Sequence, residues 1–216
     1  MTDFTEEQAL KMDHALDHFL IKLEDNIYGI RFNGFKLKDV QTGKVYHEYY
    51  PKDPYELDYF ADHMLDYPFP NDILKGQKHL GTSLKLVVGD KFVKNVVLLE
   101  RHYIGGKLAA NFRFVFPAFI PKSSNDVEFI YEIPKLTPEV EEKLKKGEDV
   151  HAESDTFVFV DGKLNVHRRA KYTYYEAPQE EEKKRIEEMI RKRREEELRR
   201  AKLIEEQRLK RLKKSE

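Results

Sequence analysis

Glu100 and His102 stand two residues apart in Val96 to Tyr103, a run of strand-formers, so a two-residue period puts both on one face with Val96 and Leu98. A carboxylate beside an imidazole in an apolar setting can move a proton. It can equally be a pair of structural polar groups held by a neighbouring loop. Nothing in the chain completes a catalytic set. There is no cysteine, no G-x-S-x-G, no Gly-rich phosphate loop and no His/Glu helix of metalloprotease type. His14 and His18, four apart beside Asp13 and Asp17, have metal-capable spacing. No further ligands lie nearby, so they read as a solvated polar face. The expectation is a binding protein rather than an enzyme, with no cofactor and no metal.

The elements around Glu100 and His102 are mostly strands. Leu84 to Pro121 reads as three consecutive strands joined by tight turns at Gly89-Asp90 and Gly105-Gly106. The middle strand is apolar on both faces as far as Leu99, which asks for burial between two layers. On the next strand Phe112, Phe114 and Phe116 share a face, and together with the middle strand they describe an apolar cavity with a polar mouth. Hairpins are expected at Thr42-Gly43 and Asp161-Gly162. Strands are expected over Val127 to Ile133, Phe157 to Val160, Leu164 to His167 and Tyr172 to Tyr175, whereas Tyr67-Pro68-Phe69-Pro70 is too Pro-rich for anything but a loop or an edge. Eight or nine short strands with little helix between them argue for a β-sandwich.

Helices are expected at four places. Thr5-Glu6-Glu7-Gln8 is a capping box, followed at helical spacing by Met12, Leu16, Phe19, Leu20 and Leu23. Tyr55 to Leu65 has one apolar and one acidic face, a cover on the sandwich or a mobile lid. Thr137-Pro138-Glu139 opens a short helix that Gly147 stops. Beyond Pro178 the composition changes outright: Glu stands four residues before Lys or Arg again and again, as in Glu188 and Lys192, which supports a long helix without tertiary packing. The chain thus divides into residues 1–25, a sandwich over residues 26–178 and a charged helical extension over residues 179–216.

The formal net charge of -1 over 216 residues conceals that split. Fifteen Lys and Arg against twelve Asp and Glu follow from Glu176 onward, leaving a slightly acidic body. The basic runs of the extension are interleaved with acids and lack aromatics for stacking, so nucleic acid is not the expected partner. No stretch approaches a membrane span, no secretory leader opens the chain, and the start is Met-Thr rather than Met-Gly. A soluble, non-secreted protein that does not insert stably into membranes and is not itself myristoylated is the expectation.

Several ordered motifs carry a resemblance. V-G-D-K at Val88 to Lys91, L-E-R-H-Y at Leu99 to Tyr103, F-x-F-x-F at Phe112 to Phe116 and I-P-K-S-S-N at Ile120 to Asn125 come first. I-Y-E-I-P at Ile130 to Pro134, S-D-T-F-V-F-V-D at Ser154 to Asp161 and H-x-x-A-x-Y-x-Y at His167 to Tyr174 follow. Together they resemble the uncoordinated one-nineteen family of lipid-binding chaperones, relatives of the phosphodiesterase delta subunit. The resemblance spans roughly residues 27–178.

It implies an immunoglobulin-like sandwich whose sheets spread to take the N-terminal myristoyl chain of a cargo protein. Such proteins carry acylated cargo through the cytoplasm toward cilia or flagella and release it to an Arf-like GTPase in its GTP state. The mouth residues of the family fall on Tyr67, Glu100 and His102, and its cavity aromatics on Phe112, Phe114, Tyr131 and Tyr172. Ile73, Ile133 and Val158 stand where relatives carry aromatics, implying a more aliphatic cavity. The sister branch binds prenyl tails instead. A third reading makes the helical extension the working part and the sandwich mere packing. For the GTPase, β-augmentation on the strand between Ile27 and Val40 is the expected contact.

Overall fold

The computed structural model describes residues 3–50, 63–75 and 79–177, together with Lys184, Glu188, Arg191, Lys192, Arg194, Glu195 and Arg199 of the extension. The expected helix from Tyr55 lies outside the described residues except at its end, where Leu65 begins a strand. The chain divides into two compact units, Met1–Glu176 and Ala177–Glu216.

The described residues of the first unit form a sandwich of nine strands. They are β1 (Arg31–Asp39), β2 (Val45–Tyr49), β3 (Leu65–Pro70), β4 (His79–Val87) and β5 (Val93–Ile104), then β6 (Lys107–Phe119), β7 (Ser124–Glu132), β8 (Val150–Val160) and β9 (Lys163–Tyr175). One sheet has the order β2-β1-β4-β7 and the other β3-β9-β8-β5-β6. Helix α1 (Glu6–Leu10) opens the chain and α2 (Pro138–Lys145) precedes β8.

Local turn chemistry sets three hairpins. Gly105 and Gly106 have φ of 59° and 75°, and Asp161 and Gly162 have 48° and 76°, the left-handed pairs that a two-residue turn between twisted strands needs. In the β1–β2 turn Asp39 accepts hydrogen bonds from the Gln41 and Thr42 N–H groups at 2.8 and 3.1 Å. Gly89-Asp90 makes no hairpin. It carries the chain from β4 in one sheet to β5 in the other, and a Cβ on Gly89 would stand 2.8 Å from the Tyr28 carbonyl oxygen. The stretch Leu164 to Tyr175, read above as two strands, is one, with Arg168 and Arg169 continuing it. The Pro-containing β3 is an edge, as expected, and pairs parallel to β9. β1 pairs with β4 from Arg31 to Asp39 but with β2 only from Phe35 to Lys38, so over Phe35–Lys38 its hydrogen bonds are spent and the expected GTPase augmentation is corrected for that part of the strand. The sheet edges are β2, β7, β3 and β6.

The N-terminal helix is shorter than its apolar spacing suggests. The capping box forms, but α1 stops at Leu10, and residues 11–22 run as an irregular strap across the outer face of β5, β8 and β9. Tertiary partners claim the backbone groups a helix would use. Asp155 Oδ2 accepts from the Leu16 N–H at 2.9 Å, and His167 Nδ1 accepts from the Leu20 N–H at 3.1 Å. Arg101 donates to the Met12 carbonyl and Arg169 to the Leu16 carbonyl. Ala9, Met12, Leu16, Leu20 and Ile21 cover Leu99, Phe157, Phe159 and Leu164. The second apolar layer expected over β5 is therefore the strap on this side and the opposing sheet on the other.

A backbone N–H can only donate, so His167 Nδ1 carries the lone pair and Nε2–H donates to Asp155 Oδ1 at 2.9 Å. Burial holds the imidazole below its ordinary pKa, opposed by Asp155 and reinforced by the charges of Arg169 and His18. The folded state thus binds fewer protons than the unfolded one just below the unperturbed value of about 6.5. The latch is at full strength above that pH and weakens as pH falls below it. The hydrogen-exchange protection factor of the Leu20 amide is expected to drop between pH 7.5 and pH 5.5, and an unchanged factor would contradict this account.

Thr137 caps α2, accepting from the Val140 N–H at 3.4 Å, with Pro138 in the first turn and Gly147 at φ 71° beyond its end. In the second unit the described residues from Lys184 onward are helical, and Lys192 Nζ lies 2.9 Å from Glu188 Oε1.

Candidate functional site

Glu100 and His102 face the space between the sheets. Cross-strand register places Glu100 opposite Phe112 on β6 and Thr156 on β8, and His102 opposite Ala110 and Ser154. His102 Nε2 lies 3.0 Å from Glu100 Oε1 but out of line for donation, so the contact is electrostatic and the nitrogen keeps unused hydrogen-bonding capacity.

Aromatic rings surround the pair. The His102 ring stacks on Tyr172 of β9 at 5.9 Å and meets Phe112 edge-on at 5.7 Å. Phe112 reaches Tyr131 of β7 at 4.6 Å, and Tyr172 continues to Tyr67 of β3 at 5.8 Å. Five strands from both sheets therefore converge on one spot. The phenols are fixed by short-chain hydroxyls: Tyr131 OH lies 3.1 Å from Thr82 Oγ1, and Tyr172 OH 2.8 Å from Ser154 Oγ. Burial, reinforced by the Glu100 carboxylate, pushes both phenols above their ordinary pKa, so they stay protonated.

The other expected residues are spread along the sandwich. Phe114 stacks on Phe129 of β7 at 3.7 Å, and Phe116 touches Phe119 and Phe129. Val158, with Val96, Val160 and Leu86, belongs to a closed apolar floor at that end. Ile133 and Ile73 sit at the opposite end, in the cluster of Leu80, Ile104 and Tyr172. Tyr67, Glu100, His102, Phe112, Tyr131 and Tyr172 thus come together, with Ile133 in the same cluster as Tyr67, Tyr131 and Tyr172; Phe114 and Phe116 extend the set downward, and Val158 lies at the other end.

Burial between the sheets is uneven: Leu98, Phe129 and Tyr172 are 9% exposed or less. Phe35, Leu84, Phe112, Phe114, Phe116 and Tyr131 point between the sheets yet stay only half-buried. On the outer face, Leu99, Asp155, Phe157 and His167 are each 1% exposed or less. β6 and β7 are edges of different sheets, so among the described residues only ring contacts, from Phe112–Tyr131 down to Phe116–Phe129, close the seam between them.

The sequence reading missed the latch of Arg101, Asp155, His167 and Arg169. Two motifs quoted for the resemblance contain Asp155 and His167, but their pairing needs the register of β8 and β9. It also missed Arg168, which is 6% exposed and whose guanidinium lies 5.3 Å from the centre of the Phe32 ring. Among the described residues no three His, Asp or Glu gather as metal ligands, and no helix is long and apolar enough to cross a membrane. Each of His14 and His18 bonds the aspartate just before it.

A two-sheet fold with half-buried aromatic rings between its layers and a carboxylate among them suits an apolar ligand held by one polar end. The chain belongs to the GMP-PDE delta subunit family, whose model matches residues 24–174, a family of lipid-binding chaperones rather than enzymes. Its similarity is to the unc-119 proteins within that group. Protein unc-119 homolog B of Danio rerio is 37% identical over 183 residues, covering 80% of this chain and 74% of its own. Protein unc-119 homolog B of Homo sapiens is 36% identical over 179 residues, covering 78% and 70%. Protein unc-119 homolog B-B of Xenopus laevis is 35% identical over 182 residues, covering 81% and 75%.

Proposed function

We propose that this protein solubilises N-myristoylated cargo in the cytoplasm, supports its delivery to ciliary or flagellar membranes, and releases it to an Arf-like GTPase in the GTP state. The observation that carries this reading is the half-buried inward aromatic set with Glu100 at its centre. A fourteen-carbon chain entering between the sheets gains on the order of 10 kcal/mol, at about 0.8 kcal/mol per methylene, before association costs. That term is blind to which protein carries the chain. Selectivity falls to Glu100, whose carboxylate accepts hydrogen bonds from the first backbone N–H groups of an acylated glycine peptide. His102 and Tyr67 position the same segment. Tyr131, Tyr172, Phe112, Phe114 and Phe116 line the acyl path, with Val158 at its floor and Ile133 at the far rim.

Release requires that the GTPase prefer the empty or widened form, because a partner indifferent to the two states shifts nothing. Fluorescence polarisation with a labelled N-myristoylated glycine peptide, its unacylated twin and a farnesylated C-terminal peptide tests the assignment. Saturable binding of the myristoyl peptide alone is expected. Binding of the farnesyl peptide instead moves the chain to prenylated cargo, and binding of neither overturns the lipid-cargo reading.

A further inference from the structure

The strap and the site share the same three strands, on opposite faces. Arg101, Asp155 and Arg169 form one cross-strand row on the outer face of β5, β8 and β9. The two inward rows that flank it are Glu100–Thr156–Arg168 and His102–Ser154–Ala170. Ser154 holds the Tyr172 hydroxyl and is the chain neighbour of Asp155, which holds the Leu16 amide. Outer latch and inner site are therefore alternate residues of one piece of sheet. The latch side chains are themselves immobilised: Arg101, Asp155 and His167 are at most 2% exposed.

The Lys11 and Met12 N–H groups still bond the last turn of α1, but residues 13–21 make no helical hydrogen bond and are held by these four side chains and the apolar patch beneath them. A segment held only by tertiary contacts is the kind that opens locally without global unfolding. Its departure would uncover Leu99, Phe157, Phe159 and Leu164, so undocking has a cost that the latch and this patch set together.

We propose that strap docking and cargo occupancy are coupled: the docked strap pre-organises the rows carrying Glu100, His102 and Tyr172, so that undocking it lowers cargo affinity. This rests on the lipid-cargo reading above. Linkage makes the effect reciprocal, so bound cargo must protect the strap by the same factor.

The test uses the full chain. Hydrogen exchange of the Leu16 and Leu20 amides is followed with and without the N-myristoylated glycine peptide, the unacylated twin serving as control. Exchange is expected to slow at least fivefold with the acylated peptide only. In parallel, Leu20→Pro removes the N–H that His167 accepts, and Leu16→Pro the one that Asp155 accepts; either is expected to weaken peptide binding about fivefold or more while circular dichroism keeps the strand signal. Peptide binding with strap exchange unchanged within twofold overturns the coupling and leaves the cargo reading standing, even if neither proline variant folds. Absence of any saturable binding overturns both.

Discussion

Asp155→Ala is expected to lower the stability of the sandwich by about 3–5 kcal/mol, the range found when one partner of a buried charged network is removed. Asp155 is fully buried and accepts from two donors, the Leu16 N–H and His167 Nε2, both at 2.9 Å, with Arg169 Nε a further 3.7 Å away. Truncation leaves the Leu16 N–H and His167 Nε2 without their acceptor and Arg169 without its nearby carboxylate, and each orphaned donor adds a desolvation penalty. For a unit of this size the loss corresponds to a fall in Tm of about 6–20 °C. Asp155→Asn keeps the shape and one acceptor oxygen, so it should cost less, but its amide must face either Leu16 or His167 with a donor against a donor. Urea unfolding of the two variants separates the cases. A loss below about 1 kcal/mol for the alanine variant would mean that the strap contributes nothing to the folded state.

Glu100→Gln is expected to weaken myristoyl-peptide binding about 10- to 100-fold, equivalent to the roughly 1.5–3 kcal/mol of a hydrogen bond to a charged acceptor. The fold should be untouched, because Glu100 is only partly buried and its close contact with His102 is out of hydrogen-bond alignment. Gln keeps the length and one oxygen while removing the charge, so the change reads the electrostatic part of recognition. Both the acylated peptide and a free acyl chain should be titrated. If the variant loses affinity for the two equally, Glu100 acts on the cavity rather than on the peptide; unchanged affinity in a well-folded variant removes it from recognition altogether.

Features with a local cause were legible in the sequence. Asp161-Gly162 and Gly105-Gly106 require left-handed backbone, and Pro68 and Pro70 exclude a central strand, so these elements fell where expected. That Glu100 and His102 share a face with Val96 and Leu98 followed from the two-residue period, whereas which face turns inward is set by the packing of the opposing sheet. Features with a distant cause were not legible. Met12, Leu16 and Leu20 have helical spacing, but the groups that take their backbone come from β5, β8 and β9, 89 to 153 positions further along the chain. Gly89-Asp90 has hairpin chemistry, and only the packing of the two sheets decides that the chain crosses between them. Arg168-Arg169 looks like a break between strands because two adjacent cations are rarely both buried; one lies against Phe32 inside, and the other serves the strap outside. The separation of Ile133 from Val158 likewise depends on how far apart the two ends of the sandwich lie.

The seam between β6 and β7 bears on how large a guest the protein can accept. Its two margins are continuous at the turn after Phe119, where the Lys122 N–H bonds the Gly89 carbonyl at 2.8 Å, and free of backbone pairing above it. Such a margin behaves like the fore-edge of a book bound at one corner. Parting it slides ring from ring, so resistance grows smoothly with aperture instead of arriving in steps as ladder bonds break. Guests of different girth would then be graded by how far they hold the pages apart, and a small increase in bulk would cost a small loss in affinity rather than outright rejection.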